Sequence, residues 1–271
     1  MKLAVIPARG GSKRIPKKNI RPFCGRPIIA YSIAAAQRSG LFDHIVVSTD
    51  CEEIATVARE WGAEVPFIRP AALSDDHCGV VAVVEHAVEW FRQSGATGTE
   101  TVATDTAVKN GQELEAVCGI YATAPLLRAE DLRAGFELLQ QDGGRVMAVT
   151  TFPFPIQRAL KMNSDGALAM FQPEHAMSRS QDLEPAYHDA AQFFWWGSAA
   201  LAGSATNHRG LVLPRYRVQD IDSEEDWRVA EQLYQLARMN AGEQGPAEGL
   251  SAEQLSTASA SLANSTAVGG R

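Results

Sequence analysis

Short apolar runs that alternate with amphipathic stretches predict an α/β chain, with a mainly parallel sheet and helices on its faces. Two observations carry that prediction. Between Leu3 and Ile68 the pattern runs strand, helix, strand, helix, strand. The first apolar run also ends in a glycine-bearing loop crowded with cations, and ligands of parallel sheets collect at the carboxyl ends of strands.

Leu3–Ile6 is the first buried strand, and the loop after it carries Arg9, Lys13, Arg14, Lys17 and Lys18. So many like charges within so few residues repel one another unless an anion of more than single charge gathers them. Gly10 and Gly11 are expected to let the backbone turn and expose N–H groups to phosphate oxygens. Arg9 can grip phosphate as a bidentate fork, and the lysines act as point charges. A solvated basic loop is the alternative; the position at a strand end favours a polyphosphate cradle. The spacing matches neither a Walker A loop nor a dinucleotide fingerprint.

Pro27 opens a helix through Ile28, Ile29, Tyr31, Ile33 and Ala36, and Gly40 closes it. Ile45–Val47 is the second strand. A helix from Glu52 to Trp61 follows, closed by Gly62, and Glu64–Ile68 reads as the third strand. Asp50, between strand and helix, is read as the helix cap, with a ligand role as the alternative. Arg69 and Pro70 end the third strand, and Val80–Trp90 is helical. The polar stretch 93–115 is expected to be a mobile surface excursion. Val117–Tyr121 is the fourth buried strand; Thr123, just past its end, is either a site hydroxyl or a turn or cap residue. Glu130–Gln140 is an amphipathic helix with Leu132, Phe136 and Leu139 on one face, and Val146–Thr151 is a fifth strand.

From Phe152 the pattern changes to short β-like runs at 159–162, 167–171 and 191–200, which suggests a β-rich arm inserted over about 152–200. The run Phe193–Trp196 reads equally well as core. An acidic sugar needs a cation for its carboxylate and neutral polar groups for its hydroxyls and amides, and Arg158, Arg179, Gln181, His188 and Gln192 supply that mixture. Asp189, next to His188, is placed to fix its tautomer. Tyr216–Asp222 reads as a strand that puts Asp220 and Asp222 on one face, roughly 6–7 Å apart. Magnesium is commonly held by one or two carboxylates plus substrate phosphates, and this pair fits. Helix-start chemistry for Asp222 and an edge-strand charge for Asp220 are the alternatives. Ser223 and Asp226 form a capping box for a last helix with Trp227, Ala230, Leu233, Tyr234 and Ala237 on its apolar face. Beyond Asn240 the chain has few large apolar residues, so 1–240 is expected to be the folded domain and 241–271 a disordered tail.

A net charge of -7 argues against general nucleic-acid or membrane-surface binding. No run approaches the length of a membrane span, and no signal-peptide pattern opens the chain, so a cytoplasmic protein is expected. Cys24, Cys51, Cys78 and Cys118 form no CxxC pair and read as reduced thiols.

The loop Ala8-Arg9-Gly10-Gly11-Ser12-Lys13, followed by Pro16-Lys17-Lys18-Asn19, resembles the opening of the acylneuraminate cytidylyltransferases. The resemblance implies a Rossmann-like three-layer nucleotide-diphosphosugar-transferase fold with a mixed, mainly parallel sheet and a small β-rich dimerisation arm that closes over the neighbouring active site. It implies CTP held by Arg9, Gly10, Ser12, Lys13, Lys18, Asn19 and Arg69, whose alternative is a surface salt bridge. Catalytic roles fall on Arg9, Lys18 and Asp222, and Mg2+ falls on Asp220 and Asp222. Where that family carries Leu-Gln-Pro-Thr-Ser-Pro this chain has Tyr121 in place of the glutamine, which points to a different sugar bound near Tyr121 and Thr123. Phe154-Pro155-Ile156-Gln157-Arg158, Arg179-Ser180-Gln181-Asp182 and Tyr187-His188-Asp189-Ala190-Ala191-Gln192 look like the branch acting on pseudaminic acid, an acidic nine-carbon keto-sugar; Ala191 departs from an expected glycine. The implied reaction is attack of the sugar's anomeric hydroxyl on the α-phosphorus of CTP in a homodimeric enzyme, without nucleic-acid or membrane partners. The same chemistry on a sialic, legionaminic or Kdo-type acid, or a non-catalytic CTP-binding module, are the alternatives.

Overall fold

A computed structural model of the chain describes residues 1–75, 78–97, 113–205 and 207–240. The expected tail, and most of the expected excursion at 93–115, lie outside these residues; 93–97 continue a helix. In chain order the elements are β1 (Lys2–Pro7), β2 (Pro22–Phe23), β3 (Arg26–Pro27), α1 (Ile28–Ser39), β4 (His44–Ser48), α2 (Glu52–Glu60), α3 (Val80–Thr97), β5 (Ala116–Ile120), α4 (Ala129–Leu139), β6 (Arg145–Thr151), β7 (Leu160–Met162), β8 (Leu168–Met170), β9 (Tyr187–Gly197), α5 (Ser198–Leu201), β10 (His208–Val212) and α6 (Glu224–Asn240).

Six strands form one sheet in the order β10-β6-β9-β5-β1-β4. β1 runs parallel to β4 and β5, and β10 parallel to β6, while β9 is antiparallel to both of its neighbours. The sheet is therefore mixed and mainly parallel, as expected. Helices α1, α2 and α4 cover one face through Ile29, Ile33, Ile54, Ala58, Leu132 and Phe136. On the other face α3 packs Val84, Ala87, Val88 and Phe91 over Leu3, Val5 and Val117. The chain leaves α1 at Gly40, whose φ of 66° is left-handed, the conformation glycine reaches without strain.

Three expected elements differ. The third strand shrinks to two isolated bridges, Val46 with Glu64 and Thr49 with Ile68. Pro66 sits between them and has no N–H for a ladder. The run Phe193–Trp196 belongs to β9, in the interior of the main sheet: Phe193 and Trp195 face the α1/α4 side, Phe194 and Trp196 the α3 side. Antiparallel pairing on both flanks and burial on both faces leave no polar alternation for sequence reading to find. The arm is thus 152–186, built around the β7–β8 hairpin. Third, Tyr216–Asp222 is not a strand; a 3-10 turn over Arg215–Arg217 leads into irregular extended chain.

A third, smaller core positions the site. Ile15, Phe23, Ile28 and Tyr31 from the N-terminal region pack on Ile221, Trp227 and Ala230. Edge-on ring contacts join Phe23 to Trp227 at 5.5 Å and Tyr31 to Tyr234 at 5.2 Å. The capping box is present: Ser223 Oγ donates to Asp226 Oδ2 at 2.7 Å, and Asp226 N–H donates back to Ser223 Oγ at 3.2 Å. This core clamps the loop after β1 to the segment before α6.

Candidate active site

The loop after β1 stays close to the sheet. Ala8 N–H extends the ladder to Ser48 O at 2.9 Å, and Ser12 N–H donates to Gly10 O at 3.0 Å. Gly10 is needed for room: a Cβ there would lie 2.9 Å from Cys51 Cβ. Neither Gly10 nor Gly11 takes a positive φ, so the loop turns here without a left-handed residue. The Gly10 N–H is also not free for phosphate, because it donates to Asp50 Oδ1 at 2.8 Å. Asp50 therefore does not cap α2, whose N-cap position is Cys51. Instead it ties the loop to Arg69, whose Nη2 lies 3.7 Å from the same Oδ1.

Arg69 is the most telling cation. It is only 4% exposed, and among the described residues its Nε and Nη2 have no hydrogen-bond partner. Burial pushes the guanidinium pKa down; Arg9 adds to that, while Asp50 opposes it. With Asp50 only 3.7 Å away as its counter-charge, the buried guanidinium keeps donors that a further anion can take up. It is not the surface salt bridge of the alternative reading. Arg9 itself donates to Asp75 O at 3.0 Å, and Asn19 Nδ2 donates to Arg9 O at 2.9 Å. Asn19 thus braces the loop backbone. Ser12 is half-buried and Lys13 exposed on the outer turn. Lys17, at φ 52°, turns away to Glu53 at 2.7 Å.

Lys18 crosses to the far end of the chain. Its Nζ donates to Ile221 O at 2.7 Å and lies 3.5 Å from Asp222 Oδ1. Arg14 Nη2 approaches the same oxygen at 3.0 Å. The carboxyl pKa of Asp220 is pushed up by burial first and by Asp222 second, against Lys18. Two carboxylates in each other's field, one of them without an ion pair among the described residues, form a donor set that suits a divalent cation completed by phosphate oxygens. No group of three or more His, Cys, Asp or Glu is gathered for a metal among the described residues, so the protein would supply only part of the shell.

The other wall comes from β5 and β9. Tyr121 Oη donates to Asp189 Oδ2 at 3.2 Å, and burial, then Asp189, hold the phenol pKa above its ordinary value. Asp189 also raises the pKa of Asp220, so this wall shares one field with the carboxylate pair. On β9 the pairing with β6 jumps from Asp189 opposite Val149 to Phe194 opposite Met147, a bulge that re-aims the strand. Within it Ala191 takes φ 49°, which explains the glycine expected there. Gln192 is buried; its Nε2 donates to Arg217 O at 2.6 Å and, among the described residues, its Oε1 has no partner. Arg217 in turn grips Asp131 with two bonds of 2.7 and 3.0 Å. Thr123 lies in the turn after β5 and is not the cap of α4, whose N-cap position is Arg128. His188 Nδ1 lies 2.8 Å from the backbone carbonyl of Asp189, which can only accept, so Nδ1 carries the proton. The tautomer is set by that carbonyl, because the Asp189 carboxylate is engaged elsewhere.

Arg158, Arg179 and Gln181 are exposed on the arm, and Arg179 pairs with Asp182 at 2.7 Å. Among the described residues none of the three bonds to the Tyr121–Asp189 wall. Volume alone would mislead: a cavity of about 610 Å³ lies between α3, Phe194, Trp196 and α5, touching the site only at Tyr121. Sequence reading missed the bridging role of Asp50 and the Asp131–Arg217 anchor, and it gave Asp189 to the His188 tautomer, whereas its carboxylate meets Tyr121 and the Ala191 N–H.

The cytidylyltransferase family model matches residues 3–195. The chain belongs to that family. Its relatives include the pseudaminic acid cytidylyltransferase of Campylobacter jejuni subsp. jejuni serotype O:2, 41% identical over 88% of this chain and 98% of that protein. The CMP-N,N'-diacetyllegionaminic acid synthase of Legionella pneumophila is 31% identical over 86% of this chain and 96% of its own length. Among solved structures, CMP:2-keto-3-deoxy-manno-octonic acid synthetase complexed with CTP superposes with a TM-score of 0.50 at 17% identity, covering 89% of this chain and 86% of that one, which speaks to the fold alone. In this cytidylyltransferase no helix among the described residues is long and apolar enough to cross a membrane.

Proposed function

We propose that this cytidylyltransferase transfers CMP from CTP to the anomeric hydroxyl of pseudaminic acid, releasing pyrophosphate. The observation that carries the reading is the meeting of Lys18 and Arg14 with Asp222, from the same loop whose Arg9 and Gly10 lie in the field of the buried Arg69 and its neighbour Asp50. The sugar assignment draws on the 41% identical relative. In this reading the sugar oxygen forms a bond to the α-phosphorus, the bond to the pyrophosphate oxygen breaks, and the hydroxyl proton leaves to solvent. Arg9, Ser12, Lys13, Lys18 and Arg69 hold the triphosphate and offset its charge. Asp220 and Asp222 would hold Mg2+, which when bound supplies charge neutralisation at the phosphate oxygens. Lys18, between Asp222 and the loop, keeps a positive charge next to the group that becomes pyrophosphate. Positioning and preorganised electrostatics supply most of the rate in such chemistry. No side chain is assigned as general base.

The arm supports a homodimer. Phe154 and Met177 are 79% and 94% exposed, and Met162, Leu168 and Phe171 lie open beside them. Apolar area of this kind marks an interaction surface. A second copy covering it would bring Arg158, Arg179 and Gln181 to a neighbouring site. We place the enzyme in the cytoplasm, where CTP is available.

The test is incubation of purified protein with CTP, Mg2+ and, separately, pseudaminic, legionaminic, sialic and Kdo acids, with products identified by mass. CMP-pseudaminic acid is expected to form fastest. Faster turnover of legionaminic acid would transfer the assignment to that sugar, and no CMP-sugar from any of them would defeat the reading.

A further inference from the structure

The Tyr121–Asp189 contact is a bond between a phenol and a carboxylate on the β5–β9 wall, apart from the cations of the loop after β1. We infer that Asp189 is a positioning residue that makes the Tyr121 phenol an obligate hydrogen-bond acceptor toward the sugar, so that this wall selects an acidic keto-sugar presenting an N–H or O–H donor. The inference rests on the acidic-sugar reading above and names the group that sets its specificity.

A phenol has one proton. Here it is directed to Asp189 Oδ2 at 3.2 Å. Only the oxygen lone pairs remain for a ligand. Burial and the neighbouring carboxylates keep the phenol protonated, so this polarity holds across the working pH range. The acceptor of the pair cannot turn away. Asp189 Oδ1 accepts the Ala191 N–H at 2.8 Å, a bond that closes the β9 bulge. The donor is fixed as well: Tyr121 N–H donates to Gln192 O at 2.9 Å, and Ser32 Oγ donates to Tyr121 O at 2.8 Å. Asp189 is exposed and Tyr121 half-buried, so the pair borders open space.

A glutamine side chain in place of Tyr121 would offer both a donor and an acceptor. A phenol tied to a carboxylate offers acceptance only, and two nearby carboxylates, Asp189 and Asp220, repel a sugar carboxylate from this wall. An acetamido N–H or a hydroxyl therefore satisfies the position, and a ligand without such a donor leaves a desolvated acceptor unmatched.

The experiment compares wild type, Tyr121→Phe and Asp189→Asn with pseudaminic acid and with Kdo, which has hydroxyls but no acetamido group. Both variants are expected to raise KM for pseudaminic acid about 10- to 100-fold, with KM for CTP within about twofold, and to reduce the preference for pseudaminic acid over Kdo. Tyr121→Phe keeps the Asp189–Ala191 bond, so it separates the phenol's role from bracing of the bulge. A preference lost in both variants identifies the acetamido N–H as the donor read; KM raised equally for both sugars identifies a hydroxyl. An unchanged KM for pseudaminic acid in Tyr121→Phe, or equal losses for CTP and sugar in both variants, overturns the inference while the proposed reaction stands. Wild-type inactivity on every acidic keto-sugar overturns both.

Discussion

The loop after β1 is held from three directions, whereas the arm at 152–186 touches solvent along most of its length. Around the loop after β1, the sheet supplies Ser48, Asp50 supplies a carboxylate, and the small core of Phe23, Ile221 and Trp227 locks the loop to the carboxylate pair. Charges there are placed before any ligand arrives. In the arm, the apolar side chains face outward and the ion pair Arg179–Asp182 is local. A preassembled half suits a fixed triphosphate. An open half suits a surface that another chain completes.

Trp227→Ala should break the first half most severely. Removing a fully enclosed ring from a small core costs about 3–5 kcal/mol, read as a lower midpoint in chemical denaturation. Activity should fall as well, because Ile221 and Asp222 lose the packing that faces them to Lys18. Asp222→Asn keeps the shape but removes the charge. Turnover should drop about 10²–10³-fold with little change in melting temperature; an active variant would deny Asp222 its place in the chemistry.

On the arm, Phe154→Ser combined with Met177→Ser should leave the monomer's stability within about 0.5 kcal/mol and weaken self-association in sedimentation. Unchanged self-association would remove the arm from the interface. Between the halves, Ala191→Gly relieves a left-handed alanine and should stabilise the protein by about 0.5–1 kcal/mol, visible as a higher melting temperature.

The smallest effect serves as a control remote from both halves. A hydrogen bond to Glu64, against burial, raises the His44 pKa. A raised folded-state pKa means the contribution is complete below the unfolded value of about 6.5 and is lost as pH rises through the folded pKa. Glu64→Gln should therefore lower the melting temperature most at mildly acid pH and least at alkaline pH. A difference that grew with pH would reverse the assignment.

Much of the frame was legible because its signals are local. The apolar runs at Leu3–Ile6 and Val117–Tyr121, the Gly40 stop and the Ser223–Asp226 box each rest on a few consecutive residues, and each is present. The site was legible in part. Lys18 and Arg14 of the loop do meet Asp222, but Asp50 was assigned to a helix end, because an aspartate before a helix looks the same whether its carboxylate turns inward or to another loop. Arg158, Arg179 and Gln181 were grouped with Gln192 by composition, which carries no distance.

By itself the sequence determined the alternation of β1, α1, β4, α2, β5, α4 and β6, the Gly40 helix end and the concentration of cations after β1, because backbone preference and side-chain alternation act between neighbours along the chain. Only the tertiary structure decided that β9 enters the middle of the sheet, that Asp50 bridges Gly10 and Arg69, and that Asp189 governs Tyr121. Those outcomes depend on which distant surfaces exclude water together, and local sequence does not encode that choice.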